Sequence, residues 1–193
     1  MKGIIDELLN PTVRWEELLM VEVCTSTTRD QKNWKKPNRR KIIGEHPVVL
    51  PSAQGTTCGT IVAVMDVSGS ISMKEKVKAL TEVKSICEMQ KPETVWVLWT
   101  NTHVAHADEC ESMEEFDDVI AEAQAGNRPD NGGTHMPAAF DYCDEWGIEP
   151  NTMIVFTDMY TDFGKAPSYP VIWGATTDIK APFGTTIRVD IPK

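Results

Sequence analysis

Four short apolar runs, TIVAVM at 60–65, TVWVLW at 94–99, MIVF at 153–156 and VIW at 171–173, constrain this chain more than any other feature of it. A strand with one wet face alternates apolar and polar residues. These runs do not alternate and are rich in β-branched and aromatic residues, as strands buried on both faces of a parallel sheet are. Between them, Val77, Leu80, Val83 and Cys87 recur at spacings of three and four, as do Met113, Phe116, Ile120 and Ala123. Ala139, Tyr142 or Cys143, and Trp146 repeat the pattern, so three amphipathic crossover helices are expected. Gly147 and Pro150 stop the last of them, and Pro137 falls in its first turn, where a missing N–H is tolerated. Residues 185–189 supply a final strand. The alternation predicts a doubly wound, Rossmann-like α/β domain with a mostly parallel sheet and helices on both faces. Ligands of such folds bind beyond the carboxyl ends of the strands.

The regular pattern begins only near residue 58. We therefore divide the 193 residues into an N-terminal helical and extended arm, 1–57, and a domain, 58–193. Within the arm, residues 4–9 and 15–23 read as two helical pieces broken at Asn10-Pro11, followed by a basic stretch, 29–41, that holds Trp34, Arg39 and Arg40. The whole chain carries 29 acidic against 19 basic side chains, a net charge of −10, which repels phosphate backbones and argues against nucleic acid as a partner. No apolar run approaches the roughly 20 residues of a membrane helix, and residues 1–10 lack the apolar stretch of a secretory signal. A cytoplasmic protein away from membranes is expected. Its five cysteines are widely spaced without a CxxC pair, as reduced and mostly buried thiols would be.

The chemistry-bearing residues cluster where the fold would place a ligand. Asp66, Ser68 and Ser70 follow the first core strand at i, i+2 and i+4, so a tight loop can turn three oxygens toward one point while Gly69 relieves the backbone. Hard oxygen donors suit Mg²⁺ or Mn²⁺ better than zinc; the same residues would also serve as an ordinary polar turn with a helix cap. Asp158 ends a later strand, and Thr134 follows a glycine pair, Gly132-Gly133, before a helix.

Asp-x-Ser-x-Ser after the first strand, a loop threonine and an aspartate after a later strand resemble the metal-ion-dependent adhesion site of von Willebrand factor A (VWA) domains. The likeness extends to Trp34 through Arg40, Leu50-Pro51, Gly132-Gly133-Thr134, Thr157-Asp158, Trp173 and Pro182-Phe183-Gly184, which are similar to a bacterial and phage subfamily where such a domain follows a metallopeptidase-like region. No His-Glu-x-x-His of such a region occurs in this sequence. The resemblance implies a VWA-like domain with one short antiparallel edge strand, and a Mg²⁺ or Mn²⁺ ion on Asp66, Ser68, Ser70, Thr134 and Asp158. It further implies recognition of a protein partner by an Asp or Glu of that partner, with an AAA-type ATPase as first candidate.

The competing reading is a metal-dependent hydrolase using the same oxygens. Ser68 stands where a phosphotransfer site would carry a second acid, and neither serine has a Gly-x-Ser-x-Gly frame, so binding without catalysis is preferred. His103, His106, Asp108 and Cys110 could be drawn as a transition-metal cluster, but Asn101-Thr102 reads better as the turn of an edge hairpin with Val104 facing inward. His135 stands either at the rim of the ion site or at a helix start. Arg39 and Arg40 beside Trp34 read either as a basic contact patch or, preferably, as partners of intramolecular ion pairs, and the acidic run 109–118 as the solvated face of a helix whose Met113, Phe116 and Ile120 are buried.

Overall fold

The computed structural model describes residues 14–28, 32–37, 51–53, 58–130 and 132–190. In chain order they form α1 (Trp15–Thr28), β1 (Lys32–Pro37), β2 (Pro51–Ala53), β3 (Thr60–Asp66), α2 (Met73–Gln90), β4 (Thr94–Thr100) and β5 (Val104–Cys110). After these come α3 (Met113–Gln124), α4 (Pro137–Trp146), β6 (Pro150–Thr157), β7 (Val171–Ala175) and β8 (Thr185–Arg188). Strands β1 and β2 pair antiparallel, and the other six form a sheet of order β5-β4-β3-β6-β7-β8. Only β5 runs antiparallel to its neighbour, so the expected mostly parallel sheet with an antiparallel edge is what the chain forms. Asn101 to His103 make the β4–β5 turn, in which the Asn101 side chain accepts from the His103 N–H at 3.0 Å.

The unbroken apolar runs end up buried on both faces. Ile61, Ala63 and Met65 of β3 join Val95, Val97 and Trp99 of β4 under α1, α2 and α3, while Val62, Val64 and Leu98 face α4 on the other side. Leu80, Val83, Phe116 and Ala123 project from α2 and α3 at the spacing read from the sequence, and all are fully buried. Leu80, Val83 and Phe116 each contribute about 1.5–3 kcal/mol relative to exposure. From α1, Trp15, Leu19 and Val23 enter the same core, with Trp15 meeting Phe156 edge-on at 6.4 Å. The expected helix over 4–9, Asn10-Pro11, Arg39 and Arg40 lie outside the described residues.

On the second face α4 covers only part of the sheet. Trp173 packs edge-on against Phe140, Phe163 and Phe183, so the segments on either side of β7 complete the layer. Gly184 there adopts φ +75° and lies so close to β7 that a Cβ would stand 2.3 Å from the Val171 carbonyl oxygen. Only glycine fits. Gly147 ends α4 in the left-handed conformation, and Pro137 starts it, as expected. Cys58, Cys87, Cys110 and Cys143 are buried and form no disulfide. Desolvation raises the Cys87, Cys110 and Cys143 thiols to about 12.

Candidate functional site

Asp66 is the last residue of β3, the central strand between β4 and β6, and its side chain is fully buried. One carboxylate oxygen accepts the Ser68 N–H at 2.8 Å and the Thr134 hydroxyl at 3.3 Å. The other accepts the Thr157 hydroxyl at 2.7 Å from the adjoining end of β6. Ser68 and Ser70 lie in the turn between β3 and α2, with their hydroxyl oxygens 2.9 Å apart. Ser70 donates in turn to Asp158 Oδ2 at 2.5 Å. Asp158, itself buried, is held from behind, its Oδ1 accepting the Tyr160 N–H at 3.0 Å and its carbonyl the Thr177 hydroxyl at 2.7 Å. All five residues singled out in the sequence therefore belong to one hydrogen-bonded set at the carboxyl edge of the sheet, the Ser68 N–H joining Asp66 and Thr134 to the Ser68–Ser70–Asp158 chain.

Local structure explains the convergence. The turn after β3 runs directly into a capping box: the Ser72 hydroxyl accepts from the Glu75 N–H, and the Glu75 carboxylate accepts the Ser72 N–H at 2.7 Å. That box fixes where α2 starts, and Ile71, buried beneath it, leaves Ser70 little freedom. After β6, Met159 takes a left-handed φ of 69° and buries its side chain, which turns the exposed Tyr160 outward at the rim. Such a conformation is strained for a non-glycine residue and is held here by the flanking bonds.

The loop that delivers Thr134 is fastened at several points the sequence did not reveal. Lys76 of α2, fully buried, donates to Asp130 at 2.6 Å. Arg128 grips both carboxylate oxygens of Asp108 on β5, at 2.7 and 3.1 Å. The His135 N–H donates to the Asn101 carbonyl at 2.8 Å, and Gly132 presses so closely on Asn101 that a Cβ would come within 2.6 Å of its Cβ. His135 thus anchors the loop through its backbone.

The alternative cluster on β5 does not converge. His106 lies 3.1 Å from Asp108, whose oxygens are shared with Arg128 and with the Trp99 indole N–H. His103 is exposed in the turn, and the Cys110 thiol is buried with the apolar core. Among the described residues no group of three or more His, Cys, Asp or Glu side chains is placed to hold a metal ion. The Asp66 cluster falls outside that description because three of its five donors are hydroxyls.

Its donor set suits a small hard cation. Asp66 and Asp158 are two buried carboxylates to which no Lys, Arg or His among the described residues is bonded, and burying unpaired charge is costly. Mg²⁺ takes oxygen ligands at about 2.0–2.1 Å in an octahedron, which sets neighbouring ligand oxygens about 3 Å apart. The Ser68–Ser70 separation of 2.9 Å and the Thr134–Asp66 separation of 3.3 Å are of that size.

A family model described as VWA-like domain (DUF2201) matches residues 61–190, from the first core strand to the end of β8 and just beyond. The chain belongs to this VWA-like family. No curated protein matches it. The VWA-like match takes in Asp66, Ser68, Ser70, Thr134 and Asp158, and also Asp108, Arg128, Lys76 and Asp130, which fix the loop. The roles of the last four, like that of Thr157, depend on partners distant in sequence and carry no local signal.

Proposed function

We propose that this VWA-like domain is a Mg²⁺- or Mn²⁺-dependent protein-binding module whose ion is held by Asp66, Ser68, Ser70, Thr134 and Asp158, and whose partner presents an Asp or Glu to it. The observation that carries this reading is the connected cluster of five oxygen-bearing side chains at the carboxyl edge, with both acids buried. A dication bound there would supply an electrophilic centre for a carboxylate. Asp66 and Asp158 balance its charge, so a third carboxylate from outside is electrostatically acceptable. Without it, the same two acids repel that carboxylate. Thr157 and the Ser68 N–H orient Asp66, and the Tyr160 N–H orients Asp158. An AAA-type ATPase is the first candidate partner on the strength of the sequence resemblance, and the proposed setting is the cytoplasm.

Calorimetry on the purified domain should show Mg²⁺ binding that Asp66→Ala removes. Affinity capture from the source lysate, with mass spectrometry, should recover partners in Mg²⁺ and lose them in EDTA. The same partners recovered in EDTA would remove the ion from recognition. The domain is read as a binder and not an enzyme: phosphoester, peptide and ester substrates should give no turnover with Mg²⁺ or Mn²⁺. Turnover lost in both Asp66→Ala and Asp158→Ala would replace this reading with a metal-dependent hydrolase.

A further inference from the structure

Thr100 closes β4 directly beside Asp66, with which it is in register. Val97 and Trp99 of β4 face the α1–α3 side and Leu98 the α4 side, so strand alternation puts Thr100 on the α4 face. Val62 and Val64 put Asp66 on that same face, and Met153 and Val155 do so for Thr157. Two threonines therefore flank Asp66 across three adjacent strands. Thr157 is bonded to it; Thr100 is fully buried, yet its hydroxyl has no hydrogen-bond partner among the described residues.

Its surroundings belong to the candidate site on every side that can be named. The Thr100 carbonyl accepts the N–H of Val67, the residue between Asp66 and Ser68, at 3.0 Å. The next residues carry the Thr134 loop: His135 bonds to Asn101, and a Cβ on Gly133 would meet Thr102 Cγ2 at 3.3 Å. A buried hydroxyl without a partner is penalised, and valine would fill the same space without that penalty. A hydroxyl that ligates a cation must point its oxygen lone pairs at it and turn its proton elsewhere. Thr134, which now donates to Asp66, would then withdraw that bond.

We propose that Thr100 is a positioning residue of the ion site, its hydroxyl replacing the bond that Asp66 gives up when Thr134 turns to the cation. The inference rests on the Mg²⁺ reading above. On this reading Thr100 contributes to the loaded protein alone, which separates it from a structural hydrogen bond. Outer-sphere partners of this kind are worth about 10–100-fold in metal affinity.

The test uses wild type, Thr100→Val and Thr100→Ser, each titrated with Mg²⁺ and with Mn²⁺ by calorimetry and each melted in EDTA. Thr100→Val should bind both ions at least about 10-fold more weakly and melt in EDTA at or above the wild-type temperature, while Thr100→Ser keeps the affinity. Affinity of Thr100→Val within twofold of wild type would overturn the inference and leave the Mg²⁺ reading standing. A lower melting temperature for Thr100→Val in EDTA would overturn it too, by showing the hydroxyl already partnered without the ion. A wild-type protein that binds neither ion would overturn both readings together.

Discussion

The two edges of the central sheet are both acidic, and they are built in opposite ways. At the carboxyl edge two aspartates are buried and tied into three hydroxyls. At the amino edge a cleft of about 490 Å³ is lined by Trp96, Trp146, Glu93, Glu109 and Glu149. There the three carboxylates are exposed and have no ion pair among the described residues, and they do not converge on a metal position. More formal charge is present at the amino edge, yet water screens it and nothing holds the side chains in one geometry. Burial and shared hydrogen bonds, more than the number of acids, turn carboxylates into a candidate cation site, because they raise both the cost of leaving the charge uncompensated and the gain from compensating it.

The contrast can be broken most directly at Asp66. Asp66→Ala should abolish measurable Mg²⁺ binding by calorimetry, and should cost about 1–3 kcal/mol in urea unfolding because the Ser68 N–H and the Thr157 hydroxyl lose their acceptor. Wild-type affinity in this variant would put the two edges on the same footing. An effect on stability alone is expected at the loop anchor, where Asp130→Ala strands the buried Lys76 ammonium and should cost about 3 kcal/mol in the same assay. Lys76→Met leaves only a half-exposed aspartate and should cost clearly less. Equal costs would mean that the ammonium reaches water. The smallest effect belongs to the amino edge: the triple change Glu93→Gln, Glu109→Gln, Glu149→Gln should leave Mg²⁺ affinity within about twofold and stability within about 0.5 kcal/mol, since the seven-residue strand β3 sets the edges about 20 Å apart, beyond the ~8 Å screening length. A tenfold loss of affinity would show that the two edges are coupled.

The parts of this design that could be read from the sequence are those that are local. Unbroken runs such as 60–65 announce strands buried on two faces, and the i, i+2, i+4 spacing of Asp66, Ser68 and Ser70 needs only one turn to be understood. Asp158 could be placed because it directly follows an apolar strand. Lys76 could not: it lies between Glu75 and Val77 on an amphipathic helix, reads as a solvated charge, and finds Asp130 54 residues away. Thr157 meets Asp66 across 91 residues, and the Asp108–Arg128 pair likewise depends on a fold not yet formed. Helix α1 runs on to Thr28, past the expected end at 23, although Cys24 to Thr28 are poor helix formers. Its last turns are supported by the Thr25 and Ser26 hydroxyls bonding back to Val21 and Val23, and by Ser26 meeting Thr152 at 2.7 Å. The short β1–β2 pair falls in the arm read as basic and extended, where KNWKKP offers no apolar alternation to betray a strand.

The capping box at Ser72 has a mechanical consequence. Between Ser70 and Ser72, the N-cap of α2, stands one residue, the buried Ile71. A joint so short transmits displacement instead of absorbing it. Helix α2 is 18 residues long, so it acts as a stiff lever of about 27 Å, and at its far end Gln90 donates to the Cys24 sulfur of α1 at 2.8 Å. A displacement of Ser70 would therefore be passed to the start of α2 and not taken up in the joint.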